Sequence, residues 1–248
     1  MSILKEMMRF YRAVKESKKG PEIFVEPPEK GRILVISPHF DDETLGCGGT
    51  ILRHTNRGDG VTVLFMTDGT RGTADMSRDL RYMEIRKKEA EQACKILGVK
   101  ELKFWDLEEG RLRYNEHTIS WARELLKDLK PSAIFLPSFF DWHLDHVEAN
   151  KIFSIALQEN NFQTSINVYE IWNPLPVNRL IDISDVFNLK REALLKYSSQ
   201  LENLNYLKGI EGLNSYRATI TGKSRTKTYA EGFIHCSTKH YLQKLIGR

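Results

Sequence analysis

Four short, largely apolar runs, at residues 33–36, 61–66, 102–105 and 133–136, each give way to an amphipathic stretch, and this alternation constrains the fold more than any other feature of the chain. A run such as Ile33, Leu34, Val35 and Ile36 offers apolar side chains to both sides of a strand, so it suits a sheet covered on two faces. The stretches between the runs have helical periodicity. They predict helices over 44–57, over a long segment with Ile85, Ala90, Ala93, Cys94 and Leu97 along one face, over 119–129 and over 146–157. Together these features predict an α/β domain on a mostly parallel sheet with helices on both faces. With the common strand order 3-2-1-4, the first and fourth runs are neighbours, and ligands gather at their carboxyl ends, where the order reverses.

Two clusters follow those two runs. The first is Ser37, Pro38, His39, Phe40, Asp41, Asp42, Glu43 and Thr44; the second is Asp141, Trp142, His143, Leu144, Asp145 and His146. Single residues have ordinary explanations: Asp41 or Asp42 as a helix cap, Asp145 with Glu148 as a capping box. The joint pattern is harder to explain that way. Three of the seven histidines and four aspartates fall in two short turns at adjacent strand ends, and so many carboxylates repel one another unless a cation neutralises them. Imidazole with carboxylate suits zinc, with iron or cobalt as alternatives, and a catalytic zinc takes three such ligands and leaves a position open. The remaining carboxylate and imidazole are then free to move a proton and to stabilise negative charge.

Gly46, Cys47, Gly48 and Gly49 raise a rival reading, a non-hydrolytic nucleotide- or metal-binding module, with Asp68 in the place of a ribose-binding acid. The dinucleotide fingerprint needs a further glycine where Ile51 stands, and the carboxylates at 41–43 would repel a pyrophosphate. Close packing of helix on sheet is the better account of these glycines.

The paired motifs, Pro38-His39-Phe40-Asp41-Asp42-Glu43 and His143-Leu144-Asp145-His146, resemble those of the LmbE-like (PIG-L) family of zinc-dependent N-acetylglucosamine deacetylases. The likeness extends over about residues 31–233. It includes Arg86 to Val99, Lys190 to Gln200 and Tyr229 to Phe233. The resemblance implies a Rossmann-like fold, zinc on His39, Asp42 and His146, and Asp41 as general base. It also implies a protonated His143 that holds the oxyanion, with Asp145 orienting its imidazole. Arg86 matches a substrate-binding arginine, and Glu109 falls where the family often has an aspartate that grips a sugar hydroxyl; both are expected at the mouth of the crevice. Phe40 stands where proline is usual. The implied activity is removal of an acetyl group from the amide of an N-acetylated sugar conjugate.

The 248 residues suit one such domain over 31–248, preceded by a segment over 1–30. In that segment Leu4, Met7, Met8, Tyr11 and Val14 predict a basic amphipathic helix ending at Gly20 and Pro21, and Glu26, Pro27, Pro28 and Glu29 a stiff connector. Net charge is +3 over residues 1–32 and +6 over 203–248, leaving −5 between them. Basic ends can serve nucleic acid or an anionic membrane, but solvated ends are the simpler account, so no nucleic-acid partner is expected and peripheral membrane contact is not favoured. The N-terminal helix suits packing on the domain or on a second subunit of a homo-oligomer. Three widely spaced cysteines, Cys47, Cys94 and Cys236, with no apolar run of the ~20 residues that spans a bilayer, predict a cytoplasmic protein.

Overall fold

Of the four strands read from apolar runs, β2 (Arg32–Ser37), β3 (Gly60–Thr67) and β5 (Ala133–Pro137) lie inside the sheet and the half-buried fourth, over residues 101–107, forms one edge. A computed structural model describes residues 20–71, 79–202, 205–220 and 227–246, so the N-terminal helix expected over 1–20 lies outside the described residues. Among them, strands β1 (Glu22–Phe24), β2 (Arg32–Ser37), β3 (Gly60–Thr67), β4 (Glu101–Leu107), β5 (Ala133–Pro137), β6 (Ser165–Tyr169), β7 (Arg179–Asp182) and β8 (Ala230–Ser237) form one sheet. The order is β1-β7-β8-β6-β5-β2-β3-β4, and every pairing is parallel except those of β8 with β6 and β7. The four strands read from the apolar runs are β2, β3, β4 and β5, side by side in the expected order.

Helices α1 (Asp42–Asn56), α2 (Leu80–Ile96), α3 (Glu116–Leu129) and α4 (Leu144–Glu159) follow these strands, and α5 (Phe187–Leu194), α6 (Ser198–Leu201), α7 (Tyr206–Thr219) and α8 (Thr238–Ile246) complete the described set. Successive strand residues point to opposite faces. Ile33, Val35, Val63 and Phe65 therefore pack with Ile51 of α1 and Ala90, Ala93 and Cys94 of α2, while Leu34, Ile36 and Leu64 pack with Leu126 of α3 and Ile152 and Phe153 of α4. The core thus has two layers, one on each face. Ile85, expected on the buried side of α2, is 48% exposed; Arg86 takes that face instead, because the N-terminal half of α2 packs over polar groups rather than the apolar layer. The connector before Gly31 is also more than a spacer: its residues 22–24 add β1 beside β7, and Glu29 pairs with Arg179 at 2.6 Å.

Two devices bring the carboxyl ends of β2 and β5 into use. Register pairs Ile33 with Ala133 and Val35 with Phe135, so both strands end at the same edge, and the chain departs in opposite directions across the sheet from there. The glycines of α1 let that helix sit directly on the sheet. A Cβ at Gly46 would lie 2.2 Å from the Tyr169 ring, and one at Gly49 would lie 2.6 Å from Ile183. Close packing is therefore what Gly46 and Gly49 do. Asp68 is likewise committed: its Oδ1 accepts from the backbone N–H of Thr70 and of Glu109 and from the Thr70 hydroxyl.

Candidate active site

The turn after β2 begins with a hydroxyl and ends with strain. Ser37 Oγ accepts the Glu43 N–H and lies 2.7 Å from the carbonyl of His39, folding the chain back on itself. Glu43 is buried; Thr44 and Tyr197 donate to its Oε1, and Ser37 to its Oε2, so this third carboxylate of the motif holds the turn. Asp41 occupies the helix N-cap with φ 126° and ψ −26°, a backbone conformation that costs a non-glycine residue ~1–3 kcal/mol. Its side chain makes no capping hydrogen bond, so the simple cap reading fails for it. The cap of α4 is His143, whose Nδ1 accepts the Asp145 N–H at 3.3 Å. Asp145 and Glu148 do not form the expected capping box: Glu148 accepts from the Tyr114 N–H and pairs with Lys151.

Three donor atoms from the two clusters converge. His39 Nδ1, Asp42 Oδ2 and His146 Nε2 are each 3.2 Å from the other two. The far nitrogens of both imidazoles are held by carboxylates, His39 Nε2 by Asp145 Oδ2 at 3.1 Å and His146 Nδ1 by Asp141 Oδ2 at 3.0 Å. Protons on those far nitrogens leave the near ones as lone pairs facing each other and a carboxylate oxygen, a repulsive arrangement that a cation between them makes favourable. The edge of a tetrahedral zinc site with ligands at ~2.0–2.1 Å is ~3.3 Å, so the spacing and the donor set both fit a divalent metal ion. His143 also has a ring nitrogen within 4.8 Å of the His39 and His146 donors. Of the two possible triads the one with Asp42 is tighter, carries negative charge and leaves His143 to its capping bond.

Burial is nearly complete here, and it governs the charges. Burial, and then the neighbouring Asp42 charge, raises the Asp41 carboxyl well above the usual carboxylate range. Burial opposes the Asp42 carboxylate too, but the imidazoles of His146 and His39 beside it, each 3.2 Å away, overcome it and hold Asp42 low. Burial first, and then His39 and His146, push His143 down to about 4, against the imidazolium that the resemblance implies. With Nδ1 accepting from backbone, its proton sits on Nε2, which remains a donor.

Asp145 does not orient His143. Its Oδ2 accepts from the Gly110 N–H at 2.7 Å and meets His39, and its Oδ1 accepts from the Leu112 N–H at 3.1 Å, so it fixes a ring of the donor triad instead. The resemblance implied that Asp145 orients His143; in the structure its carboxylate faces the His39 ring, and only its backbone N–H meets His143. Asp141, given no role from sequence, holds the other ring; its position two residues before His143 in the same cluster was the available signal.

Arg86 and Glu109 are not at the mouth. Arg86 is 2% exposed and Glu109 8%, and they pair with each other at 3.0 Å beneath the turn. Arg86 also donates to the carbonyl of Phe40 at 3.0 Å, one peptide before the strained Asp41. Phe40 itself is fully buried against Phe65 and Phe104, and Gly69, at φ +69°, has no room for a Cβ beside the Phe40 ring.

Comparison with known proteins is consistent with this geometry. The family model described as PIG-L, GlcNAc-PI de-N-acetylase, matches residues 34–157, which span both clusters. A diacetylchitobiose deacetylase of Thermococcus kodakarensis is 29% identical over 242 residues, 85% of this chain and 88% of that one. A probable N-acetyl-alpha-D-glucosaminyl L-malate deacetylase 2 of Bacillus subtilis is 28% identical over 192 residues, 71% of this chain and 86% of that one. The solved structure of an N,N'-diacetylchitobiose deacetylase from Pyrococcus horikoshii superposes with a TM-score of 0.73 at 23% identity, covering 97% of this chain and 95% of that one, a likeness of fold.

Proposed function

The chain belongs to the PIG-L family, and on that premise we propose that it is a zinc-dependent amide hydrolase that removes the acetyl group from an N-acetylglucosamine-type conjugate. The observation that carries the reading is the triangle of His39 Nδ1, Asp42 Oδ2 and His146 Nε2, with 3.2 Å edges, next to the buried carboxyl of Asp41. Its relatives are named for two N-acetylglucosamine compounds, diacetylchitobiose and the malate conjugate, which supports the sugar class. The three cysteines are free and buried, and no described helix is long and apolar enough to cross a membrane, which supports a cytoplasmic place of action.

His39, Asp42 and His146 hold the zinc, with Asp145 and Asp141 fixing the two rings. A zinc ion held by these residues would supply Lewis acidity, toward a water's proton and toward the amide carbonyl. Asp41 takes a proton from the attacking water, as a positioned carboxylate does, and passes it to the leaving nitrogen. His143, as the neutral Nε2–H tautomer, donates to the carbonyl oxygen as it gains negative charge; one such donor is worth ~3–4 kcal/mol. The C–N bond breaks, giving acetate and a free amine.

The test is release of free amine from N-acetylated sugar conjugates. Wild-type protein with zinc should release it, and chelator should abolish the release. Asp41→Asn should keep the metal and lose ~10²–10⁴-fold in rate. Amine release that is indifferent to chelator would refute the metal reading, and wild-type turnover by Asp41→Asn would remove Asp41 from the reaction. The nucleotide-binding alternative has lost its support, since Tyr169 and Ile183 fill the space beside the glycines.

A further inference from the structure

A second cavity, of about 350 Å³, lies between the start of α1, the loop after β6 and the first turns of α7. Its walls include Leu45, Trp172, Pro174, Tyr206, Gly209 and Ile210. Leu45 is one turn beyond Asp42. The loop after β6 is tied to the loop after β5, where Asn173 donates to the carbonyl of Phe140 at 3.1 Å. A row of rings connects the two sites. Trp142, immediately before His143 and 76% exposed, has its ring centroid 6.0 Å from that of Trp172, which is 5.6 Å from that of Tyr206. The Asp41 and Asp42 charges reach the Tyr206 phenol, whose pKa is raised by burial first and by those carboxylates next. The cavity therefore lies beside the candidate active site, with Leu45 on one side and the Trp142–Trp172 ring contact on the other.

Two features say what it takes. Among the described residues, no charged side chain lines it, and its amide, Asn205, is used at the start of α7, where its Oδ1 accepts the Lys208 N–H. An anionic group placed there would lose water and find no counter-charge. The second feature is Gly209. A glycine inside a helix costs ~1 kcal/mol relative to alanine, and a Cβ built here meets nothing within 4 Å, so neither backbone conformation nor crowding requires it. The missing side chain leaves open space at a wall of the cavity. The volume lies in the range of small-molecule pockets, which pair apolar and aromatic walls with few polar groups.

We infer that this cavity is a specificity subsite that receives a neutral, ring-shaped aglycone of the N-acetylglucosamine conjugate, laid against Trp172 and Tyr206, and that it disfavours anionic aglycones. The inference rests on the deacetylase reading for the orientation of the sugar. A pyranose with its C–H face on the indole and an aryl group share the chemistry required: a flat apolar face without charge.

The experiment compares kcat/KM for phenyl N-acetylglucosaminide, diacetylchitobiose, N-acetylglucosaminyl malate and free N-acetylglucosamine on wild type, Gly209→Leu and Trp172→Ala. Gly209→Leu improves helix propensity and puts a side chain into the cavity, so folding is retained. In wild type at least one neutral-ring conjugate should exceed both the malate conjugate and the free sugar by ~10-fold, as an aromatic contact of this kind supplies. The ratio should fall to near one in both variants. Preference for the disaccharide alone identifies the ring as a pyranose, and preference for the phenyl compound alone as an apolar ring. A malate conjugate turned over as well as both neutral ones, or ratios unchanged in both variants, would overturn the inference. Binding of phenyl glucosaminide against glucosamine, followed by tryptophan fluorescence, reads the cavity separately from turnover. Tighter binding of the phenyl compound, lost in Gly209→Leu, sustains the subsite even if no acetyl group is removed; equal binding of the two rejects it.

Discussion

Arg86 is a planar cation with almost no water around it, and what it touches decides what it does. One nitrogen reaches both oxygens of Glu109 at 3.0 Å and the other reaches the carbonyl of Phe40, so the fork ties a buried carboxylate to the peptide that leads into Asp41. That peptide needs a tie, because Asp41 sits at φ 126°. On the proposed reading Arg86 positions Asp41 through the Phe40 peptide rather than binding the sugar. Lysine keeps the charge opposite Glu109 but has no fork to reach Phe40 as well. Arg86→Lys should therefore fold, keep its metal and lose ~10²-fold in kcat/KM, the scale of a ~1 Å misplacement of a catalytic group. The loss should be the same for a small acetamide and for a sugar conjugate. A loss confined to the conjugate would return Arg86 to sugar binding.

At the scale of elements, α1 shows how an interrupted helix is kept in a core. Cys47, at φ −146°, breaks the helical path and frees backbone groups around it. The Leu45 carbonyl accepts from Lys190 Nζ at 2.9 Å, and the N–H groups of Gly49 and Thr50 donate to Glu231, which pairs with Lys190 at 2.6 Å. Both ionic groups are almost fully buried. Lys190→Met would leave the Glu231 charge without its partner and the Leu45 carbonyl without its donor, and should cost ~3–5 kcal/mol. A lowered urea midpoint would record it; an unchanged midpoint would mean the pair is dispensable. This arrangement also explains what the sequence concealed. The runs that became β2, β3 and β5 could be read because both faces of those strands are buried and largely apolar, and the edge strand β4 by its short run Leu102, Phe104 and Trp105. Strand β8 carries Glu231 and His235, and β7 has Arg179 and Asp182 at its ends. Those polar residues are buried or half-buried where Lys190 meets Glu231, Glu29 meets Arg179 and His235, Asn167 meets Arg179 and Lys227 meets Asp182, and periodicity carries no sign of such partners. The clusters at the strand ends were legible for the opposite reason: the topology delivers whole turns to one edge. Which oxygen faces which ring, as for Asp145 and His39, is settled by tertiary contacts alone.

For the whole molecule, the donor triad is a joint between two halves of the sheet. His39 and Asp42 come from the turn after β2, which leads into β3 and β4, whereas His146 comes from α4, which follows β5 on the side of β6 and β8. A divalent ion bound there and absent from the unfolded chain stabilises the fold by mass action, ~2.7 kcal/mol at a hundredfold excess over Kd. For a chain of this length ~1 kcal/mol moves the melting temperature by ~2–4 °C, so added zinc should raise it by ~5–10 °C over chelated protein. Asp42→Ala removes the anionic member of the triad and should abolish that shift. It should also lower the chelated protein's melting temperature relative to chelated wild type, because the Asp42 carboxylate, held low in the folded state by His146 and His39, accepts the buried His39 N–H at 2.8 Å and alanine leaves all three without it. Scanning calorimetry of the two proteins with and without zinc measures all four values. An equal zinc-dependent shift in Asp42→Ala would place the metal elsewhere and dissolve the joint on which the catalytic reading depends.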